Sequence, residues 1–284
     1  MSEDKETDRG PVFLLRVAVA VIGLILFILI ALIALAAPWI APQNPYDLAE
    51  ISFFDSRLPP LSTSPDGHFY LLGTDNQGRD MFSAMLYGLR TSLFVGVASG
   101  VLAIAIGVSL GLIAAYAGGA FDAFLMRFVD FMLGFPSILV ALMMLAILGQ
   151  GTEKVILALV VVQWAYFARA VRATALSERS KEYIEAARSL GLGHARIVFG
   201  HLAPNCMPPV IVIGTMQIAS AISAEATLSF LGLGLPPPDP DWGGMINETR
   251  SMALAYPYMT VIPCIAISSL ILGFNLLADG LREI

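Results

Sequence analysis

The stretch from Thr91 to Phe121, TSLFVGVASGVLAIAIGVSLGLIAAYAGGAF, contains no Asp, Glu, Lys or Arg. A helix of about 20 apolar residues crosses the roughly 30 Å hydrocarbon core of a bilayer, so this stretch is long enough to span a membrane. Five further stretches also lack charge: Val17–Tyr46, Phe131–Thr152, Val155–Ala168, Ile197–Ala224 and Ser251–Ala278. The shortest of them reaches the required length if it continues to Thr174, with Arg169 and Arg172 extending towards the lipid headgroups.

The distribution of these stretches predicts an all-α integral membrane protein with six transmembrane helices. The composition agrees, since 57% of the residues are hydrophobic and only 13% are charged, about half the charged share of soluble domains. A membrane β-barrel would alternate in segments of about ten residues, which these solid apolar blocks do not. The predicted helices lie near 17–39, 92–116, 128–149, 155–174, 208–233 and 258–279.

The basic residues predict the orientation of the chain, because cytoplasmic loops are enriched in Lys and Arg. With the N-terminus inside, eleven of the 16 basic residues fall on the inner side and five outside. The inner residues are Lys5, Arg9, Arg16, Arg127, Arg169, Arg172, Arg179, Lys181, Arg188, Arg196 and Arg282. Both termini are therefore predicted to be cytoplasmic, and the first helix is expected to stay as an anchor and not to be cleaved as a signal.

The predicted helices divide the chain into four parts. A cytoplasmic tail at 1–16 precedes the anchor helix at 17–39, and an extracytoplasmic segment covers 40–90. The remaining helices form a core at 91–284, which contains a cytoplasmic loop at 175–205. The outer segment is long enough to meet a partner protein or to act as a cap over the outer mouth, and the sequence leaves both open.

The inner loop carries a short helical pattern that begins after Ser180, a plausible N-cap. Lys181 and Glu185 have the i,i+4 spacing of a surface ion pair, and Gly191 can supply the left-handed residue that ends a helix. One face is expected to hold Ile184, Ala187 and Leu190. The pattern predicts a short, rigid cytoplasmic helix that packs either on its own bundle or in a partner's groove.

The block Glu185-Ala186-Ala187, followed by Gly191 and then Pro204, resembles the signature loop of ABC-importer permeases. His201 and Ala203 depart from the general pattern in a way typical of the peptide branch. Further blocks resemble the dipeptide-permease-C-like subunit of the peptide/nickel importer family. They are Leu72–Asp80, Met126–Asp130 and Ala224–Gly234, the last with Trp242 and Gly243.

This resemblance implies a type I ABC importer permease fold in a bacterial or archaeal cytoplasmic (inner) membrane. It implies three kinds of neighbour besides the lipid bilayer: a homologous second permease, two ATP-binding subunits and an extracytoplasmic solute-binding protein. The helix in the inner loop would be the coupling helix that receives the motion of the ATPase. The residues implied in that coupling are Lys181, Ile184, Glu185, Ala186, Ala187, Leu190 and Gly191.

The lysines agree with a separate source of energy. Lys5, Lys154 and Lys181 are the only lysines, and none follows a glycine, so the chain has no G-x-x-x-x-G-K-[ST] phosphate loop. No cofactor or metal is expected in this chain, ATP–Mg being bound by the partner subunits. The three histidines lack the spacing of metal ligands. The net charge of −6 argues against nucleic-acid binding. The sequence also shows no cluster of catalytic groups of the kind that an enzyme needs.

Glu225 is the one acid well inside a predicted span, which makes it a candidate for the translocation path or its gate. A structural ion pair and a contact between permeases are the alternatives. A self-sufficient secondary transporter would carry such groups in several helices, and often two related halves. The resemblance to the peptide branch implies a di- or oligopeptide as the solute, with nickel chelates, glutathione or another small solute as alternatives.

Overall fold

A computed structural model of the protein describes residues 9–47, 51–236 and 238–283, so most of the predicted tail (1–8) lies outside the described residues. Helices dominate the described part of the chain, and a pair of two-residue strands, β1 (Ser62–Thr63) and β2 (Phe69–Tyr70), lies in the outer segment. The helices are α1 (Arg9–Ile40), α2 (Met81–Ala117), α3 (Gly119–Gly134), α4 (Ser137–Leu148), α5 (Thr152–Arg179), α6 (Glu182–Ser189), α7 (His194–Ile197), α8 (Ala203–Phe230), α9 (Trp242–Thr249) and α10 (Tyr258–Glu283).

Five helical segments of the described chain are long and apolar enough to cross a membrane. They are α1, α2, α5, α10 and the run His194–Phe230, in which a π-helical turn (Val198–Leu202) joins α7 to α8. Helices α3 and α4 form a sixth span if they are counted together. The predicted all-helical membrane fold with six spans is therefore confirmed.

The span predicted near 128–149 consists of two helices in the structure. Helices α3 and α4 meet at 89° across a short break. The break contains Phe135, whose backbone is extended (φ −95°, ψ 144°), and Pro136. Proline has no N–H for the helix ladder and disfavours the helical conformation of the residue before it. The Phe135-Pro136 pair therefore divides this span into two helices.

Most of the remaining helices extend beyond their charge-free stretches. Helix α2 begins at Met81 and not near 92, because the Asp80 side chain accepts hydrogen bonds from the N–H groups of Phe82 and Ser83 and caps the helix there. Helix α5 continues to Arg179, and α8 runs from Ala203 to Phe230 instead of 208–233. The outer segment is consequently shorter than the predicted 40–90.

Close packing of α2 against α5 forms the centre of the bundle. A Cβ atom added at Gly107 would lie 2.5 Å from the Trp164 carbonyl oxygen, and one at Gly111 would lie 2.6 Å from the Ala168 oxygen. Small residues four apart let two membrane helices approach this closely, where packing replaces the hydrophobic driving force. The α2–α5 pair is thus the most closely packed pair of spans, and α8 packs against both of its helices.

The outer segment is tied to the helical bundle by buried polar contacts. Arg79, which is almost fully buried, places its Nε 2.5 Å from Asp75 and its second guanidinium nitrogen 2.7 Å from Glu248 of α9. The Tyr258 hydroxyl of α10 donates to the Leu58 oxygen at 2.9 Å. These contacts hold the segment as a fixed layer over α9 and α10.

Candidate functional site

Helix α6 carries the residues predicted to couple to an ATPase, and the structure divides them into two sets. Ile184 and Ala187 are buried against Tyr116, Ile197 and Leu192. The others are exposed: Lys181, Glu185, Ala186, Leu190 and Gly191. Leu190 was expected to share the face of Ile184 and Ala187, but it is 79% exposed. The prediction for Leu190 is wrong because the helix ends before its side chain turns inward.

The start of α6 differs from the sequence prediction. Helical residues begin after Lys181, with no capping hydrogen bond from a side chain, so Ser180 is not the N-cap. The Lys181 Nζ donates to Glu178 at 2.6 Å, and the predicted Lys181–Glu185 pair does not form. Glu178 competes successfully because it lies one turn back, at the end of α5, and also accepts a hydrogen bond from the Tyr183 hydroxyl at 2.8 Å. Burial and this hydrogen bond raise the pKa of Tyr183 to about 12, so the hydroxyl remains a donor.

The end of α6 is a Schellman turn, as the glycine predicts. Gly191 has a φ of +71°. Its N–H donates to the Arg188 oxygen at 2.9 Å, and the N–H of Leu192 donates to the Ala187 oxygen at 3.2 Å. Leu192 then packs on the buried side of α6. A sharp stop of this kind fixes the direction in which the exposed face of α6 points.

Several contacts join α6 and the residues that follow it to the C-terminal end of α2. The Tyr116 hydroxyl bonds to the His194 Nδ1, and the Arg188 guanidinium lies 5.8 Å from the centroid of the Tyr116 ring. Arg179, at the end of α5, donates to the Ala115 oxygen at 2.5 Å. A force applied to α6 would therefore act on both central helices, α2 and α5.

The two arginines predicted as interfacial anchors have carboxylate partners on α3. Arg172 makes a bidentate pair with Asp122 at 2.5 and 2.6 Å, and Arg169 pairs with Asp130. The second pair is more than half exposed and contributes little to stability. The bidentate pair holds α3 against the C-terminal half of α5.

Glu225 is fully buried at the junction of α2, α8 and α9. It accepts hydrogen bonds from Ser92 of α2 at 3.0 Å and from Ser229 at 3.3 Å. Nearby, the Trp242 indole donates to the Met85 oxygen at 3.0 Å, and Asp241 caps α9 by accepting from the Gly244 N–H at 2.6 Å. Burial raises the pKa of Asp241 to about 6. Full burial and hydroxyl partners suit a structural role for Glu225, although these partners are not the ion pair that was expected. Its role in the translocation path remains a prediction.

A groove of about 380 Å³ lies between α4, α8 and α10, away from Glu225. Four residues of α8 at helical spacing, Met216, Ser220, Ser223 and Thr227, form an exposed stripe along it. The complete lining is Ile138, Met216, Ala219, Ser220, Ser223, Ala224, Thr227, Ile271 and Asn275, none of which is charged. Polar groups exposed on a spanning helix are costly in hydrocarbon, so this face is expected to meet water or protein.

The sequence reasoning missed this groove because it searched for charged residues inside spans. The usable signal was the recurrence of Ser220, Ser223 and Thr227 on one side of the fifth predicted helix. Hydroxyl groups can also bond to the carbonyl oxygens of their own helix, as Thr227 does to the Ser223 oxygen. That local use makes them inconspicuous in a sequence.

Two family models match the chain. Residues 107–284 match the model described as "Binding-protein-dependent transport system inner membrane component". Residues 14–60 match the model of the N-terminal transmembrane domain of oligopeptide transport permease C. Together the two matched regions include the anchor helix, α6 and the groove.

Similar proteins cover nearly the whole chain. The dipeptide transport system permease protein DppC of Haemophilus influenzae is 40% identical over 93% of this chain and 88% of its own length. The glutathione transport system permease protein GsiD of Pectobacterium atrosepticum is 40% identical over 94% and 86%. In solved structures, the inward-facing MetNI methionine ABC transporter has a chain that covers 70% of this one and 94% of itself, with a TM-score of 0.58 at 18% identity. This last likeness concerns the fold alone.

Proposed function

The chain belongs to the family of binding-protein-dependent transport system inner membrane components, and from this premise we propose that it forms half of the path of an ATP-driven importer for di- or oligopeptides. The observation that carries the proposal is the uncharged, hydroxyl-lined groove on α8 and α10, within the spanning helices. A second, homologous permease facing this groove would complete a polar path across the bilayer. Peptides are the proposed solute because dipeptide permeases are among the similar proteins.

The proposed machinery has two further kinds of component, ATP-binding subunits and a binding protein. One of two ATP-binding subunits, which would hold ATP–Mg, docks against the exposed face of α6, and the other docks against the second permease. An extracytoplasmic binding protein delivers the solute from outside. Both termini lie in the cytoplasm, as the bias of eleven basic residues against five predicts. Because the lining of the groove holds no ionisable group, coupling to ATP is favoured over coupling to a proton or ion gradient.

Filling the groove tests this function. Ser223→Trp places a bulky ring on the exposed stripe of α8, where Ser223 is exposed. We expect uptake of labelled dialanine into proteoliposomes to fall about tenfold or more, a barrier increase of about 1.4 kcal/mol, while the subunits still co-purify. The proteoliposomes contain the full complex, its binding protein and internal ATP.

Leu272→Trp is the matched control, since Leu272 is 59% exposed on α10 and is not among the residues of the groove. The control should transport as the wild type does. Equal uptake by Ser223→Trp and the wild type would remove the groove from the path. Glutathione is measured in parallel because of the similarity to GsiD, and uptake of glutathione without dialanine would replace peptides as the solute.

A further inference from the structure

A small pocket adjoins the groove where α4, α5 and α8 meet. Its volume is about 40 Å³, and it shares Ile138, Ser220 and Ala224 with the groove. Its polar lining residues come from all three helices: Ser137, Gln163, Tyr166, Gln217 and Ser220. The pocket is therefore a polar recess beside the proposed path.

Gln163 of α5 lines this pocket, and its side chain carries an acceptor without a partner among the described residues. The side chain is deeply buried (the residue is 4% exposed), and its Nε2 donates to the Gln217 oxygen at 3.1 Å. Its Oε1 is buried and has no hydrogen-bond partner in the part of the chain that the structure describes. Exchanging the two amide atoms would place Oε1 against a carbonyl oxygen, so the contact with Gln217 defines Oε1 as the free acceptor. Buried polar atoms nearly always have partners, and none of the described residues supplies a donor to this one, so the oxygen can accept from a bound molecule.

Donors also line the same pocket. Ser137 begins α4 directly after the 89° break. The N–H groups of Leu139 and Val140 donate to the Pro136 oxygen, so the N–H groups left available in the first turn are those of Ser137 and Ile138. Broken membrane helices of transporters direct such N-terminal ends towards their solutes. The hydroxyl of Ser220 adds a further donor at the boundary with the groove. The pocket thus presents one acceptor and several donors.

We propose that this pocket binds a peptide bond of the solute as it passes through the groove, an inference that rests on the proposed function. The amide N–H donates to Gln163 Oε1, and the amide carbonyl accepts from the Ser137 and Ser220 side. A cavity of 40 Å³ holds about three waters at 10–15 Å³ each, which suits one flat amide. None of its ten lining residues is acidic, so a charged ammonium would be uncompensated there.

A substrate pair that differs by one N–H tests the proposal. Dialanine is compared with its ester analogue, in which an ester oxygen replaces the amide N–H and both charged ends remain. In proteoliposomes with the full complex, we expect kcat/KM for uptake of the ester to be about five- to tenfold lower, the worth of one hydrogen bond. The affinity of the binding protein for each compound is measured separately by calorimetry. The ratio of the two affinities is then used to correct the ratio of the two kcat/KM values.

Gln163→Met keeps the length of the side chain, removes the acceptor, and should abolish the preference for the amide. Gln150→Met is the matched control, because Gln150 bonds to the Gly232 oxygen at the outer end of the bundle, and it should keep the preference. Ser220→Ala, a change at an exposed position, should slow amide and ester alike, since both carry the carbonyl.

Two results would overturn the inference: a wild type that transports both compounds equally well, or a Gln163→Met variant with an unchanged preference. If the Gln163→Met variant does not assemble, the Ser220→Ala variant still tests the inference. Slower uptake of only one of the two compounds by that variant would overturn the inference as well. Failure of the proposed function is distinguishable, because the wild-type complex would then take up neither compound with ATP present.

Discussion

Replacing Glu185 with lysine should abolish ATP-driven uptake while the chain still inserts into the membrane. Glu185 is exposed on α6, whereas Ile184 and Ala187 hold that helix on the bundle. The substitution leaves this support intact and reverses the charge presented to the ATP-binding subunit. Like charges at an interface cost several kcal/mol, and about 3 kcal/mol lowers binding roughly a hundredfold. The measurements are uptake by proteoliposomes and co-purification of the ATP-binding subunits.

Glu153→Lys is the matched control for this charge reversal. Glu153 is also exposed and lies in the first turn of α5, at the other end of that helix from α6. The control should assemble and transport normally. If Glu185→Lys assembles and transports at the wild-type rate, the assignment of α6 as the ATPase contact is wrong.

Replacing Arg79 with leucine should cause the largest loss of stability. The substitution leaves Asp75, which is 3% exposed, and the partly buried Glu248 without their shared cation. Removing one partner of a buried ion pair costs about 3–5 kcal/mol, so the unfolding midpoint in nanodiscs should fall by at least about 6 °C. Because Arg79 joins the outer segment to α9, limited proteolysis should cut the outer segment first.

Two further variants test whether the loss of stability in Arg79→Leu comes from the buried ion pairs. Arg90→Leu removes an exposed arginine of α2 and should leave the midpoint nearly unchanged. A triple variant, Arg79→Leu with Asp75→Leu and Glu248→Leu, should recover part of the loss, since apolar side chains can replace a buried charge network. An Arg79→Leu protein that is as stable as the wild type would show that the network does not hold the outer segment.

The membrane fold could be predicted from the sequence because a long stretch without charged residues is a local feature of the chain. Stretches such as Thr91–Phe121 must lie in hydrocarbon or in a core, whatever their neighbours are. The 89° break between α3 and α4 could not be predicted, since a proline either kinks a membrane helix or divides it according to the surrounding packing. The helix ends also depended on specific hydrogen bonds, such as the cap from Asp80.

The candidate sites show the same division between local and tertiary information. Gly191 could be assigned from its position after a helix, because a left-handed residue is a local requirement. The inward position of Ile184 depends on Tyr116, which is distant in sequence, so the pattern alone could not separate it from Leu190. Glu225 attracted attention by its charge, whereas the groove is lined by neutral hydroxyls.

Site-specific crosslinking at Ala186 tests the central claim most directly. Ala186 is exposed on α6, and the native thiols of Cys206 and Cys264 are free, so both cysteines are first replaced by serine. A cysteine at Ala186 with a short bifunctional reagent should crosslink to the ATP-binding subunit in the assembled complex, whereas one at Ala255, in the loop before α10 on the side predicted to be outside, should not. Crosslinking from Ala255, or none from Ala186 in a complex that transports, would contradict the account.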